Sequence, residues 1–374
     1  MVKIMKAIKF DTTPTKVFFG VKSIKTVPNL IRLYNPKNIL VISGEKTVER
    51  CNFEKYLEGY ALINYKIGSN PTVNDIENCL GYVNNSYSAD LIVGLGGGSA
   101  IDTGKTVALL LNNLGSVKGY LHKKEKIEKK GKIFVAIPTT AGTGSEVTPY
   151  ASIIDEKEKL SLSHEYLCPR AAIVDPSLTL TLPSRLTAIT GMDALIQGIE
   201  AYWSINSTPQ TDKYALEAIK LSFENLKKAC ENPQDIKYRI NMSRASLLSG
   251  AAISHTKTTI VHSVSYPLTT YFNIPHGLAC SMTIPYFMKF NAKAVPEKII
   301  KISKTIGAKS IQDGVKRIED IITDVGLETK LSDFGIKKRD IKLIVEKGFR
   351  PDRANNNPRN VTKNDLRKIL MKIL

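Results

Sequence analysis

The apolar positions of the chain change rhythm once, near residue 182. Before that point, short runs rich in branched and aromatic residues alternate with helical stretches. KVFFG (16–20), NILVIS (38–43), ALINYKI (61–67) and the start of IFVAIPTTAGTGSEVTPYASIID (133–155) read as strands. The unbroken apolar character of NILVIS is that of a parallel strand buried on both faces. TVNDIENCLGYVNN (72–85) has amphipathic helical spacing, and DLIVGLGGGSAIDTGKTVALLL (90–111) reads as a strand, a glycine turn and a helix. This alternation predicts an α/β, Rossmann-like open sheet over residues 1–182, with ligands at the carboxyl ends of its strands. From LPSRLTAITG (182–191) onward helix follows helix, through 208–232, 237–254 and the closing VTKNDLRKILMKIL. Residues 183–374 are therefore expected to form an all-α domain, with Pro183 opening its first helix.

Two loops of the first half carry candidate chemistry. Gly96, Gly97, Gly98 and Ser99 fall where a strand hands over to a helix. Glycines there let backbone N–H groups approach a pyrophosphate, and the helix N-terminus adds positive dipole. The spacing GGGS fits neither GxGxxG nor GxxxxGK[ST], and plain turn chemistry is the competing reading. Asp102 and Lys105 either position hydroxyls and phosphates or cap and solubilise the helix. After the strand that runs into Pro138, Thr139, Thr140, Thr143 and Ser145 offer hydroxyl donors of little bulk. Two small-residue loops after two strands of one sheet point to a dinucleotide more than either does alone.

In the second half, Asp193 and Gln197 of GMDALIQGIEAYW lie four apart and share one helical face. His262 and His276, in IVHSVSYPLTTYFNIPHG, can return to that face only through the tertiary fold. One carboxylate, one amide and two imidazoles converging would make a divalent-metal site with room for a substrate oxygen. The bland alternative is a solvated aspartate and scattered core histidines.

Composition narrows the classes. Lys and Arg number 53 against 35 acidic residues, a formal +18. No basic face interleaved with aromatics accompanies that charge, so nucleic acid is not an expected partner, whereas an anionic small molecule is compatible with it. Five scattered cysteines without a CxxC pair predict reduced thiols, a cytoplasmic setting and no thiolate metal site. There is no apolar run of membrane-spanning length, and MVKIMKAIKF lacks the apolar core and cleavage site of a secretory leader.

DLIVGLGGGSAIDTGK, AIPTTAGTGSEVT, DPSLTLTLP, TGMDALIQGIEAY, the stretch from His262 to His276 and NPRNVTKNDL together resemble, in order and over essentially the whole chain, the iron-containing (group III) alcohol dehydrogenases. The resemblance implies an N-terminal dinucleotide-binding domain and a helical C-terminal domain, with the nicotinamide meeting a metal in the cleft between them. It implies NAD(P)-dependent hydride transfer between a small alcohol and its aldehyde, and a homodimer or larger homo-oligomer. By the same resemblance Gly96, Gly97, Gly98, Ser99, Asp102, Thr139, Thr140 and Thr143 contact the coenzyme. Asp193, His262 and His276 fall on its metal-ligand positions, for Fe²⁺ or Zn²⁺.

Two departures stand out. Gln197 occupies a position where the family usually has histidine, and an amide oxygen is a weaker, neutral ligand. Tyr266 replaces a histidine that many members carry, and a phenol is a poor proton shuttle near neutrality. SGEK (43–46) places Gly44, with Ser43 before it and Lys46 nearby, where the family often has an aspartate that repels a 2′-phosphate, so NADP is the expected coenzyme over NAD. Lys257, Thr258 and Thr259 make a cationic, hydroxyl-rich turn just before His262 that suits a phosphonate, phosphate or sulfonate. With SYPLT it looks like the family members that reduce phosphonoacetaldehyde; the competing picture has Lys257 in solvent. A dehydrogenase for an uncharged primary alcohol, a dehydroquinate synthase-like lyase and a non-catalytic relative with a degraded metal site are the alternatives.

Overall fold

The computed structural model describes residues 7–57, 59–86 and 88–374. Its contacts divide the chain into two units. One runs to Thr140 and resumes over Ser145–Thr179; the other takes Ala141–Gly144 and Leu180–Leu374.

The first unit is an α/β sheet. Its strands are β1 (Ile8–Phe10), β2 (Thr13–Phe19), β3 (Asn38–Ser43), β4 (Ala61–Lys66), β5 (Leu91–Gly96), β6 (Ile133–Pro138), β7 (Tyr150–Asp155), β8 (Glu158–Ser163) and β9 (Ala171–Val174). Seven of them form one sheet in the order β1-β2-β9-β6-β5-β3-β4, parallel except for β1 against β2, and β7 and β8 pair as a separate hairpin. The helices are α1 (Val27–Tyr34), α2 (Thr47–Arg50), α3 (Val73–Ser86), α4 (Gly98–Leu110) and α5 (Val117–Leu121).

Successive side chains of the central strands enter two different cores. Leu40, Ile42, Ile92, Phe134 and Ala136 pack on one side, and Ile39, Val41, Leu91, Val93, Leu95, Val135 and Ile137 on the other. That two-sided burial explains why NILVIS has no polar alternation. The strand order also fixes where a ligand can sit. After β3 the chain goes outward to β4, whereas after β5 it goes the opposite way to β6, so the topological switch point lies between β3 and β5. Gly44 follows one of these strands and Gly97 the other. A side chain on Gly96, whose φ is +156°, would come within 2.8 Å of the Ala100 Cβ, with the Gly44 nitrogen 4.0 Å away.

The second unit is helical. It opens with α6 (Ser184–Trp203), α7 (Pro209–Glu231), α8 (Ile236–Thr256), α9 (Ile260–Phe272) and α10 (His276–Asn291), and five further helices follow. Pro183 is the N-cap of α6, one residue outside it. Every residue of α6 from Gly191 to Trp203 is buried, so this helix is the centre of the unit. Any polar side chain on that stretch has to find its partners inside the protein. Among the described residues no helix is long and apolar enough to cross a membrane.

Candidate active site

Asp193, Gln197 and Glu200 follow one another along one face of the buried helix α6, at i, i+4 and i+7. Glu200 is fully buried. Its carboxylate accepts from the backbone N–H of Thr259 and of Val261, both at 3.0 Å, from the Thr259 hydroxyl, and from Nδ1 of His262. Thr259 is the N-cap of α9 and lacks a side-chain cap bond of its own, so Glu200 caps that helix from across the core. Trp203 Nε1 donates to the same threonine hydroxyl at 3.0 Å. Burying a carboxylate costs several kcal/mol, and these charge-assisted hydrogen bonds offset it.

The consequence is a fixed imidazole. Because Glu200 takes the Nδ1 proton, Nε2 of His262 is left facing Oδ1 of Asp193 at 3.2 Å. The second histidine is set by a different device. Ser265 Oγ lies 2.7 Å from the His262 carbonyl and 3.0 Å from Nδ1 of His276. The hydroxyl has one proton, which the carbonyl requires, so it accepts from Nδ1–H of His276. That leaves Nε2 of His276 as the lone-pair nitrogen, 3.9 Å from the same Asp193 oxygen. The two rings are edge-on with centroids 5.2 Å apart. Backbone contact makes this approach feasible: a side chain on Gly277 would come within 2.1 Å of the Ile189 carbonyl and 3.2 Å of Asp193 Cβ.

A neutral imidazole nitrogen and a carboxylate oxygen are both acceptors, so at 3.2 Å they repel unless a cation lies between them. Without metal that cation is a proton. Burial alone pushes the His262 pKa down, but Glu200 and then Asp193 outweigh it and raise the group from 6.5 to about 9. The donor set therefore fits a divalent metal, which would displace that proton. Asp193, His262, His276 and Cys280 each offer one ligand atom, and all four atoms lie within 4.8 Å of one another.

Gln197 shares the face but is turned differently. Its Nε2 donates to Oδ2 of Asp193 at 3.3 Å, and its Oε1 lies 3.3 Å from the Ser249 hydroxyl, whose proton is shared with the Ser246 carbonyl at 2.9 Å. The opposite amide orientation would set two oxygens against each other. Tyr266 is buried, with its ring stacked on His276 at 6.1 Å and 24°. The guanidinium of Arg350 lies 5.9 Å from the centroid of that tyrosine ring. The Ser263 hydroxyl fixes the backbone there, donating to the Gly348 carbonyl at 2.5 Å and accepting from the backbone N–H of Arg350 at 3.2 Å. Lys257 stands at the α8–α9 junction with an exposed side chain, outside the buried cluster.

In the first unit, Gly97 caps α4 without a side-chain hydrogen bond, and Gly98 and Ser99 form its first turn. Thr139 N–H donates to the Gly96 carbonyl at 2.9 Å, and Thr140 flanks Gly97. Ser43 closes β3 and bonds to Asn64 at 3.0 Å, Gly44 follows, and Lys46 is exposed. Asp102 faces inward, taking the Ser145 hydroxyl at 2.5 Å and the Ser152 N–H at 2.9 Å. Lys105 is buried on Ser145, Thr148 and Tyr150. Thr143 belongs to the segment grouped with the helices.

Glu200, Ser265, Cys280 and Arg350 were not singled out from the sequence. Glu200 had a legible signal, as the third polar residue of one face of an otherwise apolar helix. Ser265, Cys280 and Arg350 had none, because only the packing of α9, α10 and the helix Ile341–Gly348 brings them to the cluster.

Two protein-family models match the chain: "Iron-containing alcohol dehydrogenase" over residues 14–176 and "Fe-containing alcohol dehydrogenase family, C-terminal" over 187–374. A long-chain-alcohol dehydrogenase of Geobacillus thermodenitrificans is 34% identical, covering 86% of this chain and 85% of the relative. A sulfoacetaldehyde reductase of Bilophila wadsworthia is 31% identical, covering 96% and 97%. The crystal structure of a sulfoacetaldehyde reductase from Bifidobacterium kashiwanohense in complex with NAD+ superposes with a TM-score of 0.91 at 29% identity, covering 98% and 99%.

Two outcomes are expected. Glu200→Gln puts an amide N–H₂ against Nδ1 of His262 and favours the tautomer that protonates Nε2. Metal affinity in equilibrium dialysis should fall about 10–100-fold with the helical circular dichroism preserved, as for other outer-shell partners; unchanged affinity would contradict the orienting role. In metal-free protein the raised His262 pKa contributes stability that is complete below pH 6.5 and is lost as pH rises through about 9. Urea denaturation should show on the order of 3 kcal/mol lost across that window; a flat profile would contradict the assignment.

Proposed function

The chain belongs to the iron-containing alcohol dehydrogenase family, and on that premise we propose that it reduces a small anionic aldehyde, such as phosphonoacetaldehyde, using NADP(H) in preference to NAD(H). The reaction class is hydride transfer between a nicotinamide and a carbonyl carbon. Asp193, His262 and His276 would hold a divalent metal, which when bound would supply Lewis acidity toward the carbonyl oxygen. Glu200 and Ser265 keep the two imidazoles in the ligand tautomer, and Gln197 holds Asp193 through its second oxygen. The side chains of Asp193 and His262 are 4% exposed and that of His276 is 21% exposed, so substrate reaches the cluster past His276. The stacking of Tyr266 on that ring supports a role for its phenol as hydrogen-bond donor to the oxygen as negative charge develops.

The observation that carries the anionic substrate is the backbone of Lys257. Its φ and ψ of 58° and 175° belong to a region reserved almost wholly for glycine, yet a lysine stands there, shortly before His262. Strain at a non-glycine residue beside a buried polar cluster supports a functional role for its side chain. Arg350, beside the ring that stacks on His276, adds a second cation on the same approach. The Bilophila and Bifidobacterium relatives are named for an aldehyde that carries a sulfonate, which supports the same reading.

For the coenzyme, we propose that Gly44, Lys46, the Gly96–Ser99 turn, Thr139, Thr140 and Thr143 form the cradle. Asp102 contributes by tying Ser145 and Ser152 to α4. The lack of a carboxylate at Gly44 supports NADP(H).

Two experiments test these assignments. Wild-type kcat/KM for phosphonoacetaldehyde and sulfoacetaldehyde should exceed that for propanal, and Lys257→Ala should lower the anionic values about 10–100-fold while sparing propanal. Equal wild-type efficiency on charged and uncharged aldehydes overturns the substrate class. Gly44→Asp should shift the kcat/KM ratio toward NADH, with Thr47 rotating away from the new side chain 3.0 Å distant; a wild type that already prefers NADH overturns the coenzyme assignment.

A further inference from the structure

Cys280 lies one helical turn beyond His276 on α10, at i+4, and is fully buried. A buried cysteine is ordinarily a small hydrophobe packed among apolar atoms. Here its sulfur belongs to a group in which the ligand atoms of Asp193, His262, His276 and Cys280 all lie within 4.8 Å of one another. The close passage of α10 over α6, which only a glycine at 277 allows, brings that turn level with Asp193. Gln197 has its oxygen on Ser249 and its nitrogen on Asp193, and so holds a ligand from behind.

We infer that the fourth protein donor to the metal is the Cys280 thiolate and that Gln197 is an outer positioning residue for Asp193. This rests on the reading that the cluster holds a metal, and adds which donors do so and which metals they select. Two imidazoles, a carboxylate and a thiolate are a borderline-to-soft set, suited to Zn²⁺, Co²⁺ or Fe²⁺ and ill suited to Mg²⁺ or Mn²⁺. The thiolate is a softer and stronger donor to these metals than an amide oxygen. The thiol loses its proton on binding, and no redox change is involved.

The test is reconstitution of the full-length protein with Co²⁺ under reducing, anaerobic conditions. Bound cobalt is counted after dialysis, and the near-ultraviolet thiolate-to-cobalt charge-transfer band and the cobalt-edge X-ray absorption are recorded. Expected are bound cobalt, the band, and a sulfur scatterer at roughly 2.3 Å, with the band lost in Cys280→Ser and retained in Gln197→Ala. Because Cys280→Ser could fail to fold, the wild-type sulfur scatterer and a variant with Cys51, Cys79, Cys168 and Cys230 all changed to serine supply independent readings; that variant should keep the band. Stoichiometric cobalt without a sulfur scatterer overturns the Cys280 assignment and leaves the metal reading standing. A protein that binds no cobalt, zinc or iron overturns both.

Discussion

Two acceptor atoms, Nε2 of His262 and Oδ1 of Asp193, face each other at 3.2 Å in the middle of the helical unit, and neither can turn away. His262 is pinned from behind by Glu200, and Asp193 by the amide of Gln197. The fold has thus fixed a geometry that is unfavourable unless positive charge enters it. The same carboxylate that orients the imidazole also caps α9, so the ligand geometry and the helix start are one interaction. His276 arrives with its tautomer set by Ser265, at a distance that a glycine at 277 permits. Site and scaffold are therefore energetically linked: a cation at the cluster stabilises the packing of α6, α9 and α10, and that packing prepays the ordering of the ligands.

Each unit carries its own distinctive cluster of residues. In the sheet unit, glycines gather where the strand order reverses, at the ends of β3 and β5, and present backbone without side chains. Asp102 and Lys105 take part in a buried network that holds Ser145 and the β7 hairpin to α4. In the helical unit Asp193, Gln197 and Glu200 sit on a helix buried without a break from Gly191 to Trp203, where a misplaced charge is costly and each partner is consequently specified. Of the cations behind the formal +18, Arg350 lies beside the Tyr266 ring that stacks on His276.

Much of this was legible in the chain. NILVIS, DLIVGLGGG and IFVAIP could only be two-sided parallel strands, because runs so apolar have no solvent face to offer, and each is a strand in the sheet. Residues 208–232 and 237–254 fill their helical period and become α7 and α8. After NILVIS the chain makes the single turn Thr47–Arg50 and the 3-10 turn Glu54–Tyr56, and Val48, Phe53 and Leu57 from this stretch enter the core. What periodicity could not supply was the partner of each polar group. Glu200 and Gln197 share a face, yet nothing local says that one reaches His262 and the other Ser249. The expectation of no thiolate ligand came from counting CxxC pairs, a rule for ligands close in sequence, whereas Cys280 meets donors that lie on three helices.

The most direct test is anomalous diffraction from a crystal of the metal-loaded protein, recorded on both sides of the metal's absorption edge. The account predicts one strong peak at roughly 2.0–2.2 Å from Oδ1 of Asp193 and from Nε2 of both His262 and His276. An active, metal-replete protein whose anomalous peak lies elsewhere, with Nε2 of His262 still against Asp193 and nothing between them, would contradict it.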